Sequence, residues 1–376
     1  MKITDVEIKV VEHALERPFA PTWQPMPTVN HRVHVVLIHT DEGITGIGSG
    51  GVPVRWDVAR LFLLGQDPFA IEQHVQNMRS FAFFVGRPWP LEVALWDIIG
   101  KATGQPISRL LGGAHQRVKA YASTGELRSP EQRVEDAQRL RQEGFRALKL
   151  RFHSHEPRHD LRVLEAVRKA VGDSMDIMVD ANYGWNIAPD RAVQRWDLRT
   201  AIYMARAMEE LGVYWLEEPL YCYDYDGLAE LRRQVNLRIA GGELNQGLHE
   251  FKIYLEKGCY DVYQPDVTFS GGFFQCRQLA GMVQAHGKVL TPHTWTNGIG
   301  FAANLQFAAS LGQCPYFEFP YDPPTWTVEA RDFVLTEPFC IDEDGYVRVP
   351  DKPGLGIELD EEKMARYAAS DPSRFI

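Results

Sequence analysis

Cysteine is sparse in this chain and follows no order. The five, Cys222, Cys259, Cys276, Cys314 and Cys340, include no C-x-x-C pair. Their odd number and scatter point away from a disulfide scaffold and suit reduced, mostly buried thiols in a cytoplasmic protein. Long hydrophobic runs are also missing. None approaches the roughly 20 apolar residues that a membrane-spanning helix needs, and the alternating start Met1–Val10 has no secretion-signal core. No stretch is dense in Lys or Arg, and the formal net charge is −10. Neither a membrane nor a nucleic acid is therefore expected as a partner. Tandem repeats and low-complexity tracts are absent, and no glycine fingerprint follows the first strand-like run, as a doubly wound nucleotide-binding sheet would require.

What is present is ordinary globular material, 45% hydrophobic and 24% charged. A chain of 376 residues is long for one ordinary domain but comfortable for a barrel with a cap. Up to about residue 50 the pattern is an antiparallel meander. Ile3, Val6, Ile8 and Val10 alternate, His34–Thr40 continues the pattern, and Asp41-Glu-Gly43 marks a turn before Ile44–Gly48. The proline-rich stretch Arg17–Pro27 carries Trp23 and reads either as a lid or as a plain connection. Gly48–Pro53 is a second loop of that kind. From 57 to about 113 the pattern is helical; the clearest helix follows Pro88 and Pro90, places Leu91, Leu95, Ile98, Ile99 and Ala102 on one stripe, and stops at Gly104.

After Gly113, eight strand-like runs alternate with helical stretches rich in Ala, Leu, Glu and Arg. Such alternation predicts an α/β barrel of the TIM type. The expected organisation is an N-terminal α+β domain over 1–115, a barrel over 116–334, and a tail over 335–376 that returns to the first domain. Functional groups of such barrels gather at the C-terminal tips of the strands. Here the tips carry Lys149 and Arg151, then Asp180, Glu217, Glu243, Asp266, His293 and Glu318, successive positions lying about one β/α unit, roughly 30 residues, apart. Any one of these acids alone reads as a salt bridge or a helix cap. Three consecutive strands that each end in a carboxylate, at Asp180, at Glu217-Glu218 and at Glu243, suggest a metal site, because buried paired acids need a compensating cation.

The constellation resembles the mandelate racemase subgroup of the enolase superfamily. The residues that carry the resemblance are Asp180-Ala-Asn182, Trp215-Leu-Glu-Glu-Pro219, Gly242-Glu243, Gln264-Pro-Asp266 with Ser270-Gly-Gly272, and Thr291-Pro-His293, together with Ala94–Lys101, Leu110–Gly113 and Pro353–Ile357. It spans essentially the whole chain. It implies a modified TIM barrel, (β/α)7β, under an α+β capping domain built from both termini. It implies metal ligands at Asp180, Glu217 and Glu243, with Glu218 a neighbour outside the set. It implies a His–Asp dyad at His293 and Asp266, an acid at the eighth strand at Glu318, lid loops around Trp23 and Gly48–Pro53, and a symmetric homo-oligomer.

The chemistry follows from the residue types. An all-carboxylate ligand set favours a hard cation, Mg2+. A small-molecule carboxylate, a sugar acid, on that ion becomes acidic at its α-carbon because the ion stabilises the enediolate. His293 is the candidate base, with Asp266 setting its tautomer. Lys149 is placed to share the carboxylate charge, and Glu318 would have to be protonated to donate a hydrogen bond to it. Racemases of the subgroup carry Lys-x-Lys on the second strand, whereas this chain has Lys149-Leu-Arg151. Arginine is a poor proton acceptor near neutral pH, so only the His293 face has a clear base. That favours dehydration of an aldonate or aldarate to a 2-keto-3-deoxy acid. A racemase, epimerase or lactone cycloisomerase of the same fold is the alternative, and a non-catalytic descendant a third reading. His153, Asn182, Trp295 and Trp23 are candidate substrate-binding residues. His153 qualifies only if its strand extends that far, and Trp295 lines the pocket or packs the rim.

Overall fold

The computed structural model of the chain describes residues 1–50, 56–113, 115–185 and 194–370. The alternating N-terminal positions form three antiparallel strands, β1 (Ile3–Phe19), β2 (Thr28–Thr40) and β3 (Thr45–Gly48), paired in that order. β1 runs further than its pattern suggests and takes in Arg17–Phe19 of the proline-rich stretch. Its register slips between Ala14 and Phe19, a break in the ladder that accommodates Pro18, which has no N–H to give. The sheet packs Val36 and Ile38 against Leu91, Ala94, Leu95 and Ile98 of the helix Trp89–Thr103. Contact is backbone to backbone at β3: a Cβ on Gly48 would lie 2.0 Å from the Pro90 carbonyl oxygen.

Eight parallel strands follow: β4 (Arg117–Ser123), β5 (Ala147–Arg151), β6 (Asp176–Asp180), β7 (Trp215–Glu217), β8 (Arg238–Gly241), β9 (Val262–Tyr263), β10 (Val289–Leu290) and β11 (Phe317–Pro320). They neighbour one another in the order β10-β9-β8-β7-β6-β5-β4-β11. Among the described residues one α-helix lies in each of the seven intervals, from Pro130–Gln142 to Gly298–Ser310, so the architecture is (β/α)7β with a capping domain. Between β10 and β11, Thr291 Oγ1 donates to the Tyr316 carbonyl. Tyr121, Met178, Trp215, Val262 and Tyr316 fill the barrel interior, which makes it a packed core rather than a channel.

β9 and β10 are shorter than the strand-like runs of the sequence, Tyr260–Asp266 and Lys288–His293. Pro265 and Pro292 lie just beyond them and cannot donate to a ladder. Asp266 and His293 therefore stand on the loops past their strands. β12 (Tyr346–Arg348) adds antiparallel to β4. The chain then crosses to the first sheet, where Glu12 N donates to Tyr367 O at 2.8 Å and Ala369 N to Val10 O at 2.9 Å.

The cap is fastened to the barrel by a buried acid. Glu92 accepts hydrogen bonds from Phe273 N at 2.8 Å, Phe274 N at 3.0 Å and Trp96 Nε1 at 2.8 Å, so a capping-domain side chain serves the first turn of the barrel helix Gly272–Ala285. Gly272, at φ 72°, leaves the space; a Cβ there would sit 2.4 Å from Glu92 Cδ. The five cysteines are free, with Cys259 and Cys276 buried and Cys340 exposed. Among the described residues no helix is long and apolar enough to cross a membrane.

Candidate active site

Parallel register brings the strand tips side by side. Arg151 pairs with Asp180 across β5 and β6, and Asp180 with Glu217 across β6 and β7. Glu243 follows Gly242, which bends the chain past β8 at φ 108°. Asp180, Glu217 and Glu243, all buried, each offer one oxygen within 4.8 Å of the other two. Burial pushes the carboxyls of Glu217 and Glu243 up, and neighbouring carboxylates add to the shift. Glu218, at backbone φ 46°, lies against Gly184 with its Oε2 buried and unpartnered.

Lys149 Nζ lies 2.8 Å from Glu217 Oε1, 2.8 Å from Glu318 Oε1 and 3.4 Å from Asp180 Oδ2. Burial works against its charge, but Glu217 and Glu318 outweigh it and hold the ammonium above the usual lysine range. The two carboxylates favour its charged form. Arg151 donates through Nη1 to Asp180 Oδ2 and through Nε to Thr124 O at 2.5 Å. Its guanidinium lies 4.5 Å from the Trp23 ring and 5.7 Å from the Trp295 ring, an arrangement that favours the cation.

His293 Nδ1 is 3.0 Å from Asp266 Oδ2. The other Asp266 oxygen accepts from Thr268 N, Thr268 Oγ1 and Asn304 Nδ2 at 2.7, 2.7 and 2.9 Å. A carboxylate held this way can only accept, so Nδ1 carries the hydrogen and Nε2 is the atom free to exchange a proton. Nε2 faces Glu243 Oε2 at 3.8 Å and Glu318 Oε2 at 3.9 Å. Burial would lower the imidazole pKa, but Glu243, Glu318 and Asp266 outweigh it and raise the pKa to about 10.

Glu318 differs from its sequence reading as a hydrogen-bond donor. Ser123 Oγ donates to it at 2.7 Å and Thr294 N at 2.8 Å. Despite burial, Lys149, His293 and Arg151 keep its carboxyl well below the usual range. Both of its oxygens accept hydrogen bonds in this structure.

The residues suggested for substrate binding divide. Asn182, at φ 50°, donates from Nδ2 to Asp180 Oδ2 at 3.2 Å and accepts from Thr22 Oγ1 of the proline-rich loop at 2.6 Å. Trp23 and Trp295 meet edge to face at 4.5 Å, and Trp295 Nε1 donates to Ser123 Oγ at 2.8 Å. β5 ends at Arg151, so His153 lies beyond it. Its Nδ1 is 2.8 Å from Ala181 O, and its ring stacks on Tyr183 at 4.7 Å. Of Gly48–Pro53, the part Gly51–Pro53 lies outside the described residues.

Sequence reasoning passed over Ser123, Thr22 and Asn304. Ser123 had a signal, because it ends the first barrel strand. Asn304 had one too, as a polar residue inside the otherwise apolar Gly298–Ser310. Thr22 had none.

A divalent cation fits the carboxylate trio. Six acids are buried here, Asp180, Glu217, Glu218, Glu243, Asp266 and Glu318, and among the described residues the permanent cations in ion-pair contact with them are Lys149 and Arg151. The donors of the trio are oxygen alone, as hard cations prefer.

Residues 5–112 match the family model for the mandelate racemase / muconate lactonizing enzyme N-terminal domain, and residues 132–363 match the enolase C-terminal domain-like model. The D-galactarolactone cycloisomerase of Agrobacterium fabrum is 33% identical over 99% of this chain and 100% of its own length. The arabinonate dehydratase of Saccharolobus solfataricus is 30% identical over 90% of this chain and 91% of its own. The crystal structure of a racemase from Streptomyces coelicolor with bound magnesium superposes with a TM-score of 0.83 at 27% identity, covering 98% of this chain and 100% of that one.

Proposed function

Because the chain belongs to the mandelate racemase / muconate lactonizing enzyme family of the enolase superfamily, we propose that it is a Mg2+-dependent dehydratase of a sugar acid, an aldonate or aldarate, forming a 2-keto-3-deoxy acid. The observation that carries this reading is the pairing of three carboxylates within 4.8 Å with an imidazole whose Nδ1 is held by Asp266 and whose Nε2 lies 3.8 Å from Glu243. The combination of a histidine base with Mg2+ is established for enolase-superfamily sites. Asp180, Glu217 and Glu243 would hold the ion, which would supply positive charge against a substrate carboxylate, make the neighbouring carbon more acidic and offset the negative charge around His293.

Lys149, permanently charged and buried, holds the same carboxylate from the barrel side. His293 takes the α-proton at Nε2, and Asp266 stabilises the imidazolium that results. For elimination on the same face, that proton passes to the departing β-hydroxyl, which leaves as water. Trp23 and Trp295 exclude water from Arg151, whose guanidinium is bound to Asp180 and has no lone pair to accept a proton. Racemisation by two bases therefore lacks its second base.

A lactone cycloisomerase is the second reading, supported by the similarity to the Agrobacterium enzyme over the full length of both chains. A screen of aldonates, aldarates and their lactones, with keto-acid detection and with Mg2+ present or removed, tests the proposal. Mg2+-dependent keto acid from an open-chain acid supports dehydration. Lactone turnover with solvent deuterium entering the α-carbon, and no keto acid from any open-chain acid, overturns it in favour of isomerisation.

A further inference from the structure

One arginine of the capping domain approaches this site and has no role in the reading above. Arg87 lies between the helices Ile71–Val85 and Trp89–Thr103. Its Nη2 donates to the carbonyl of Leu244 at 2.6 Å, and Leu244 directly follows Glu243. Its guanidinium carbon stands 5.5 Å from the centre of the Phe269 ring. That ring in turn packs on the imidazole of His293, centroids 6.1 Å apart. Arg87 is thus one residue from a carboxylate of the trio and one ring from the imidazole.

Its bonding is incomplete. Nη1 is shut off from solvent with no hydrogen-bond partner, and among the described residues no carboxylate lies within ion-pair distance of the guanidinium. Burial pulls its pKa down from the usual arginine value, and Asp266, Glu250 and Glu243 offset this only in part, through space. The side chain as a whole is half-buried, and a charge drawn part-way out of water without a counter-ion is costly. A planar guanidinium is matched in both charge and shape by a carboxylate, which accepts two parallel N–H bonds. A substrate hydroxyl would satisfy one N–H and leave the charge unanswered.

We propose that Arg87 binds a second carboxylate at the far end of the substrate, so that the enzyme takes sugar diacids in preference to monoacids. The inference rests on the proposed function, which places the reacting carboxylate at Lys149 and the acid trio. Arg87 would then be the opposite pole, contributed by the other domain.

The test is binding to the Mg2+-loaded His293→Asn protein, which is expected to hold substrate without converting it. Calorimetry is run on a panel of four- to six-carbon aldarates, each paired with the aldonate of the same length and configuration. The best aldarate is expected to bind about ten-fold tighter than its aldonate. Adding Arg87→Gln should reduce that preference to about two-fold or less, with most of the lost affinity on the aldarate side. Arg87→Lys, which keeps the charge without the fork, should fall between and shows that the site remains folded. Aldonates bound as tightly as aldarates, or a preference that survives Arg87→Gln, overturns the proposal. Absence of keto acid with the unsubstituted enzyme would count against dehydration alone, because the binding preference is read on a protein whose turnover is suppressed.

Discussion

His293 owes its directionality to three groups on Asp266. With Thr268 and Asn304 occupying one oxygen of that carboxylate, the other is committed to Nδ1 and the reactive nitrogen is fixed. His293→Asn is expected to lower turnover by about 10²–10⁴-fold while Mg2+ still binds, as followed by calorimetry; keto-acid formation at an undiminished rate would remove this imidazole as the base. Lys149 bridges Glu217 and Glu318, so Lys149→Met should leave the two carboxylates buried without their cation, a loss of about 3–5 kcal/mol in folding free energy measured by denaturant. At this scale the sequence exposed the titratable groups well, because each stands at or just past a strand tip. It could not expose their protonation. Glu318 reads as a potential donor until Ser123 and Thr294 are seen pointing hydrogens at it.

Loops and helix ends decide access. The proline-rich loop is bound to the site by Thr22 Oγ1 on Asn182, and Trp23 covers Arg151. Thr22→Val removes one buried hydrogen bond, worth about 1 kcal/mol, and is expected to raise KM roughly five-fold with kcat little changed; steady-state kinetics would separate the two. Glu92 gives a pH signature. Burial raises its carboxyl to about 7, against three N–H donors that favour ionisation. A folded-state value above the ordinary 4.5 means that its contribution to stability is full below about pH 4.5 and fades as the pH rises to about 7. Glu92→Gln, which carries a constant penalty for pointing an amide at N–H donors, should therefore gain on the parent by about 3 kcal/mol across that window. Unfolding curves at several pH values check this, and a pH-independent difference would mean the carboxyl titrates normally. The helix Trp89–Thr103 was legible from its apolar stripe. Neither the Glu92 contact nor the Thr22 contact was, since each joins residues at least 160 positions apart that no periodicity links.

The molecule as a whole stores like charge at the mouth of its barrel. A ligand that binds only the folded state stabilises it by mass action, about 2.7 kcal/mol at a hundred times its Kd, so Mg2+ is expected to raise the melting temperature and a chelator to reverse the rise. Glu217→Gln should weaken that response, and a melting temperature indifferent to Mg2+ in the unsubstituted protein would argue against the carboxylate trio as its site. The β/α alternation was readable because every parallel crossover repeats it, whereas the two-residue β9 and β10 were overread where Pro265 and Pro292 stop the ladder. The Glu92–Gly272 fit also limits how such a protein can be recombined. A cap transplanted from a relative would arrive without its seat unless a carboxylate and a side-chain-free position came as a matched set, so exchange of specificity between members of the fold should succeed by trading loops and fail by trading whole caps.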